Sequence, residues 1–284
     1  MRASFALLLL LLLACDGATS PIPQLAPAGE GIALVEPTLF PTPTYPPLPP
    51  TATASPRFSF IVCGDSWKDQ PIFRRIIRDF VAGNDAFMIV VGDITPQGYA
   101  SQFDDFQRLT SGLGKPVYPV PGNHDVLNGG RASFAVRWPL NQSFDYGAAH
   151  FTLYDDADNQ LAAAQLAWLR DDLAASSQPL KFVFMHIPSE TPFALPLNAE
   201  RVLQAGAAEF QQIVSAAQVA TVFSGHLQAY ASYERAGVPR IITGGAGSPL
   251  HLPAWMGGYY HYVRVTVDGT QMSSAVVQLP DDGS

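Results

Sequence analysis

Two short apolar runs, residues 58–63 (FSFIVC) and 86–91 (AFMIVV), each pass directly into Gly-Asp. Between them the apolar positions of residues 71–81 recur at helical spacing, so the segment predicts a βαβ unit. A second helical stretch over 99–109 precedes another short run, 117–120 (VYPV), that leads into Pro121-Gly122. Unbroken apolar runs of this length are expected of parallel strands whose two faces are both covered. Further along, 143–154 predicts a hairpin and 161–173 (LAAAQLAWLRDDL) an amphipathic helix with Trp168 and Leu169 in the core. The rest predicts strands near 181–185, 221–224, 240–243 and 260–267, with a helix over 207–216. One α/β domain over residues 57–280 is the economical reading.

The polar residues fall at particular places in this pattern. Asp65 follows the first strand, Asp93 the second and Asn123-His124-Asp125 the third. His186 follows a fourth, and Gly225-His226 a fifth. In open α/β sheets the carboxyl ends of the strands are where ligands bind. Residues scattered over 160 positions therefore share one topological address, which core packing alone does not explain.

This ordered set resembles the calcineurin-like metallophosphoesterase superfamily: G-D-S-W at 64–67, G-D at 92–93, G-N-H-D at 122–125, the strand-ending His186, and G-H-L-Q at 225–228. The resemblance implies a four-layer α/β/β/α sandwich carrying a two-metal site. It implies that Asp93 bridges two metals, that Asn123, His186 and His226 complete the second site, and that Asp65 belongs to the first. Imidazole ligands favour Zn, Fe or Mn over Mg or Ca. Two ions about 3.5–4 Å apart clamp the attacking and leaving oxygens of an in-line displacement and lower the pKa of a bound water. His124 is then expected to serve the phosphoryl group or the leaving oxygen, with Asp125 orienting its ring.

The chain departs from the family twice, at one metal. The usual D-x-H reads Asp65-Ser66-Trp67, and an indole offers only an N–H donor. The usual G-H-x-H ends in Gln228, whose carbonyl is a weaker ligand than imidazole for these metals. The first site is expected to be weak, with one or two ions bound per chain. Three basic residues, Lys68, Arg131 and Arg137, are candidates to replace the missing charge, and His251 or His261 to replace a missing ligand. A degenerate phosphoesterase fold that binds a partner or ligand without turnover is the alternative.

Composition narrows the setting. The 284 residues include 48% hydrophobic and 14% charged positions, enough apolar material for a sizeable core. A net charge of −8 with no basic run argues against general nucleic-acid binding and leaves a small phosphoester as the expected partner. Two cysteines, Cys15 and Cys63, exclude a disulfide framework, and Cys63 reads as a buried thiol. Residues 1–15 (MRASFALLLLLLLAC) predict a secretory signal. Leu12-Leu13-Ala14-Cys15 resembles a bacterial lipobox, which implies a lipid on Cys15 and an extracytoplasmic, membrane-anchored protein; a plain secretory signal is the other reading. Residues 16–56 hold eleven of the 25 prolines and read as an extended spacer. The glycines at 244, 245 and 247 lack the P-loop pattern and predict a turn near the site.

Overall fold

The computed structural model describes residues 57–67, 70–193 and 202–281. The predicted signal, Cys15, the spacer and Lys68 lie outside the described residues.

Alternating apolar and Gly-Asp segments build the first sheet. Its parallel core is β1 (Arg57–Cys63), β2 (Met88–Val91) and β3 (Val117–Val120). Two late strands, β10 (His261–Asp268) and β11 (Gln271–Gln278), extend it antiparallel on the far side of β1, giving the order β11-β10-β1-β2-β3. The crossover helix α1 (Gln70–Ala82) buries Ile72, Phe73, Ile76, Ile77 and Phe80, a stripe at helical period, and leaves Arg74 and Arg78 outward. With α2 (Ala100–Thr110) and the short α3 (Gly130–Ala135) it covers the outer face of this sheet, where Ile61, Met88 and Val90 meet Phe73, Phe103 and Phe134.

The second sheet contains β4 (Gln142–Tyr146), β5 (Ala149–Leu153), β6 (Leu180–Phe184), β7 (Thr221–Ser224), β8 (Tyr230–Arg235) and β9 (Val238–Thr243). Their order is β4-β5-β6-β7-β9-β8, with β5, β6, β7 and β9 mutually parallel. Its outer face packs on α4 (Ala163–Ala175) and α5 (Ala207–Ala216) through Leu166, Leu169, Phe210 and Val214.

Between the sheets lies an aromatic core. Phe60 and Phe87 from the first sheet meet Phe151, Phe182 and Phe184 from the second, Phe60 and Phe151 edge to face at 5.2 Å. Each buried ring contributes roughly 1.5–3 kcal/mol of apolar transfer free energy. The layers are thus α/β/β/α, as the resemblance implied. Three elements were not foreseen: β8, β11 and α3. Trp168, expected in the core, is half-buried and stacks on Tyr154 at 6.0 Å, while Leu169 is fully buried.

Candidate metal centre

Strands β1, β2, β3, β6 and β7 each end in a turn that carries a sequence-predicted residue. Asp65, Asp93, His226 and Gln228 all adopt left-handed backbone conformations, with φ of 60, 53, 66 and 49°. Such conformations cost about 1–3 kcal/mol each and persist where the surroundings over-determine them, a pattern that clusters at functional sites. The preceding glycines make room. Gly92, at φ 85°, lies against the His186 ring, where a Cβ would overlap it. A Cβ on Gly225 would stand 2.6 Å from Asp65 Oδ2.

These turns bring the sequence-predicted residues together. His186 Nδ1–H donates to the Val91 carbonyl at 2.8 Å, which aims Nε2 at three further atoms: Asn123 Oδ1 at 3.0 Å, Asp93 Oδ1 at 3.3 Å and His226 Nδ1 at 3.3 Å. The His226 backbone N–H donates to Asp65 Oδ2 at 2.9 Å. Asp65, Asp93 and His186 are buried and offer ligand atoms all within 4.8 Å of one another. Asp65 Oδ1, Asp93 Oδ2 and Gln228 Oε1 are buried without a hydrogen-bond partner.

The electrostatics follow from that crowding. Burial raises the Asp65 carboxyl well above the usual carboxylate range, with Asp93 adding to the effect against the pull of His186. Asp93 is held below its ordinary value because His186 and His124 outweigh its burial. Burial opposes charge on His186, yet Asp93 and then Asp65 carry the ring up to about 10. Positive charge at this ring is thus favoured by its carboxylate neighbours. A cation among the same atoms supplies such charge, and it also satisfies three orphaned oxygens that accept but cannot donate. Two carboxylates, two imidazoles and two amides form a donor set that fits Mn-, Zn- or Fe-type ions.

The His124 backbone N–H donates to Asp93 Oδ1 at 2.9 Å, and its ring Nδ1–H donates to the Pro96 carbonyl at 2.9 Å. The ring also stacks on Trp67, centroids 5.3 Å apart and planes at 20°. Nε2 is left 4.0 Å from Asp93 Oδ2. Contrary to the sequence-based expectation that it orients this ring, Asp125 does not meet it. Its carboxylate instead accepts from the backbone of Ile94, Thr95 and Gly122 and from the Thr95 hydroxyl, so it ties two motif-bearing loops together. The expectation failed because Asp125 faces its own turn and the neighbouring loop, while Pro96 takes the position at Nδ1.

Of the residues expected to supplement the first site, Arg131, Arg137 and His261 are engaged elsewhere. Arg131 pairs with Asp155 and Asp158, and Arg137 with Asp104 and the Ser133 carbonyl. His261 is buried beside Tyr230 and Tyr259 and donates from Nδ1 to the Tyr259 carbonyl, and burial pushes it down to about 4. His251 is exposed in the loop between β9 and β10. The glycine-rich segment after β9 turns near the centre as expected, its Ala246 and Ser248 N–H groups donating to the Gly64 and Asp65 carbonyls. One residue escaped the sequence reading. Buried Asp156 accepts the backbone N–H groups of His186 and Ile187, both at 2.8 Å, and so fixes the turn that carries His186. Its position just beyond β5, at the same topological address as the others, was the available signal.

A two-sheet α/β/β/α sandwich with carboxylates, an amide and imidazoles converging from the strand ends of both sheets defines a metal-centre hydrolase class. A family model for calcineurin-like phosphoesterases matches residues 58–230, and the chain belongs to that family. Comparison with curated proteins gives no match. Among solved structures, a purple acid phosphatase from yellow lupin (Lupinus luteus) superposes with a TM-score of 0.65 at 16% identity, over 79% of this chain and 52% of that one. The chain therefore spans about half the length of the lupin protein. A dimetal phosphatase from Danio rerio gives 0.58 at 13% identity, over 78% of this chain and 99% of that one. GAP50, described as the anchor in the inner membrane complex of Plasmodium, gives 0.60 at 13% identity, over 78% and 84%. At these identities the likeness is one of fold.

Proposed function

We propose that this protein is a metal-dependent phosphoester hydrolase acting outside the cytoplasm, held at a membrane by a lipid on Cys15. The observation that carries the catalytic reading is the convergence of Asn123 Oδ1, Asp93 Oδ1 and His226 Nδ1 on His186 Nε2, within 3.0–3.3 Å. Family membership supports the reaction class. The location rests on the N-terminal sequence alone.

Asp93, Asn123, His186 and His226 would hold one ion, and Asp65 with Gln228 a weaker second. When bound, the metal supplies Lewis acidity that neutralises phosphoryl charge and lowers the pKa of a water. The chain's own residues do the rest. Because its Nδ1–H is committed to the Pro96 carbonyl, His124 presents Nε2, 4.0 Å from Asp93 Oδ2, as the ring atom that would meet the phosphoryl group or the leaving oxygen. The Trp67 face fixes the tilt of that ring. Asp125 and Asp156 hold the turns that carry Asn123-His124 and His186 at their separation.

The test is hydrolysis of a chromogenic phosphoester by the full chain in detergent, across Mn, Zn, Fe and Mg, together with metal content per chain. Turnover that requires metal and is abolished by His226→Ala is the expected result. Tight metal binding with no turnover of monoesters or diesters favours the second reading, a ligand- or partner-binding protein at a surface. Two features motivate that reading: Trp67 and Gln228 stand where the family has imidazole ligands, and the GAP50 fold serves as an anchor in its own organism.

A further inference from the structure

The donor atoms of the metal centre sort by element. Asp93 divides its carboxylate. Its Oδ1 accepts the His124 backbone N–H and lies 3.3 Å from His186 Nε2, while Oδ2 is buried without a hydrogen-bond partner. Asp65 is split in the same way, with Oδ2 on the His226 backbone N–H and Oδ1 orphaned. The Gln228 side chain hydrogen-bonds to the Asp65 carboxylate, and its Oε1 is the third orphan. These residues are 0, 1 and 8% exposed for Asp65, Asp93 and Gln228, so water does not reach the three oxygens freely. Buried acceptors without a donor are costly unless a cation takes them. The nitrogens gather differently. His186 Nε2 and His226 Nδ1 meet at 3.3 Å, with Asn123 Oδ1 3.0 Å from the former. Neither departure from the family pattern adds a nitrogen to the orphaned oxygens, because Trp67 lays its ring on His124 and Gln228 offers a carbonyl.

We propose that the centre is built for two different metals: a Zn- or Fe-type ion among His186, His226, Asn123 and Asp93 Oδ1, and a hard, oxygen-seeking cation, Mg²⁺ or Ca²⁺, among Asp65 Oδ1, Asp93 Oδ2 and Gln228 Oε1. The inference rests on the metal-dependent reading and adds the class of the second ion to it. Ligand type decides the split, since imidazole suits Zn and Fe whereas carboxylate, carbonyl and water suit Mg and Ca. Ligand count decides the strength. Either hard cation takes about six oxygens or more, so the chain leaves about half of the positions to water or to phosphoryl oxygens of the substrate. Affinity is then expected in the range of extracellular Ca²⁺ modules, about 10⁻⁴–10⁻³ M, which suits the location proposed above.

The experiment loads the full chain in detergent with one equivalent of Zn and titrates it with Ca²⁺ or Mg²⁺ by calorimetry, with bound Zn followed by elemental analysis and no substrate present. One equivalent of the hard cation is expected to bind while the Zn is retained. Two variants at one position supply gains that a misfolded chain does not produce. Gln228→Glu keeps an oxygen and adds charge, and is expected to tighten the Ca²⁺ or Mg²⁺ step. Gln228→His places an imidazole among the oxygens, and is expected to lose that step and take a second equivalent of Zn instead. Three results overturn the split alone: no second ion of any kind, a second Zn in the natural chain that excludes Ca²⁺ and Mg²⁺, or a Ca²⁺ or Mg²⁺ step that neither variant alters, which marks an adventitious surface ion only. Failure to retain the first equivalent of Zn overturns the metal-dependent reading, and the split with it.

Discussion

At the scale of single residues, the positions of Asp65, Asp93, Asn123, His186 and His226 were legible because each follows an apolar run at a strand end. The left-handed backbones of Asp65, Asp93 and His226 were not, since φ is set by the turn each residue closes and leaves no mark on an Asp or His. Gln228 shows the difference. Its sequence position marked it as a substitute ligand, and its orphaned Oε1 marks it as an acceptor awaiting a cation. An amide binds Mn-, Zn- or Fe-type ions less tightly than imidazole, and His tolerates the left-handed region that φ of 49° demands. Gln228→His is therefore expected to raise the metal bound per chain above that of the natural protein, as read by elemental analysis after dialysis. An unchanged content would mean that the amide at position 228 does not limit metal binding.

At the scale of elements, the sequence predicted the buried strands and missed two exposed ones. Both β8 and β11 are outermost in their sheets, and most of their residues are exposed or only partly buried, so neither carries a buried apolar run. The β4–β5 hairpin was legible, but not what ties it to α4. His150, which no motif supports, donates from Nδ1 to Asp145 at 2.6 Å and from Nε2 to Asp172 at 3.1 Å, while the Thr152 hydroxyl donates to Asp172 at 2.7 Å. Against its burial, Asp172 and Asp145 raise the His150 ring above its ordinary 6.5. Despite burial, the hydrogen bonds from His150, Ser143 and Thr152 lower Asp172 below its ordinary 3.8. A raised histidine contributes stability that is full below its unfolded pKa and is lost as pH rises through the folded one. A lowered carboxylate contributes above its unfolded value and loses that contribution as pH falls. The clamp is thus strongest between about pH 4 and 6.5. His150→Gln is expected to lower Tm most near pH 5.5 and progressively less toward pH 8.5. A deficit that is flat across that range would mean His150 acts by packing alone.

At the scale of the whole molecule, the metal centre is shared between two sheets that are joined by side-chain packing. Asp65, Asp93 and Asn123 come from the first sheet, and His186 and His226 from the second. The sequence showed that these residues share an address, but not which sheet carries each, because strand order depends on pairings such as β1 with β10 across some 200 residues. The aromatic layer between the sheets therefore sets the spacing of the ligands. Phe151 is fully buried there and meets Phe60 and Phe87 across the interface at 5.2 and 5.1 Å, edge to face. Leu169 is equally buried but sits on the outer side of the second sheet, under α4. Phe151→Ala and Leu169→Ala are both large-to-small changes that cost about 3–5 and 2–5 kcal/mol of stability, measurable by urea unfolding. Their effects on the metal should differ. Removing Phe151 loosens the seam that spaces Asp93 from His186, so Mn affinity under native conditions is expected to fall with stability. Removing Leu169 loosens only a helix against one sheet, so Mn affinity is expected to hold although stability falls. If the two variants lose metal in proportion to their stability, the centre depends on global folding and the seam has no special part in it.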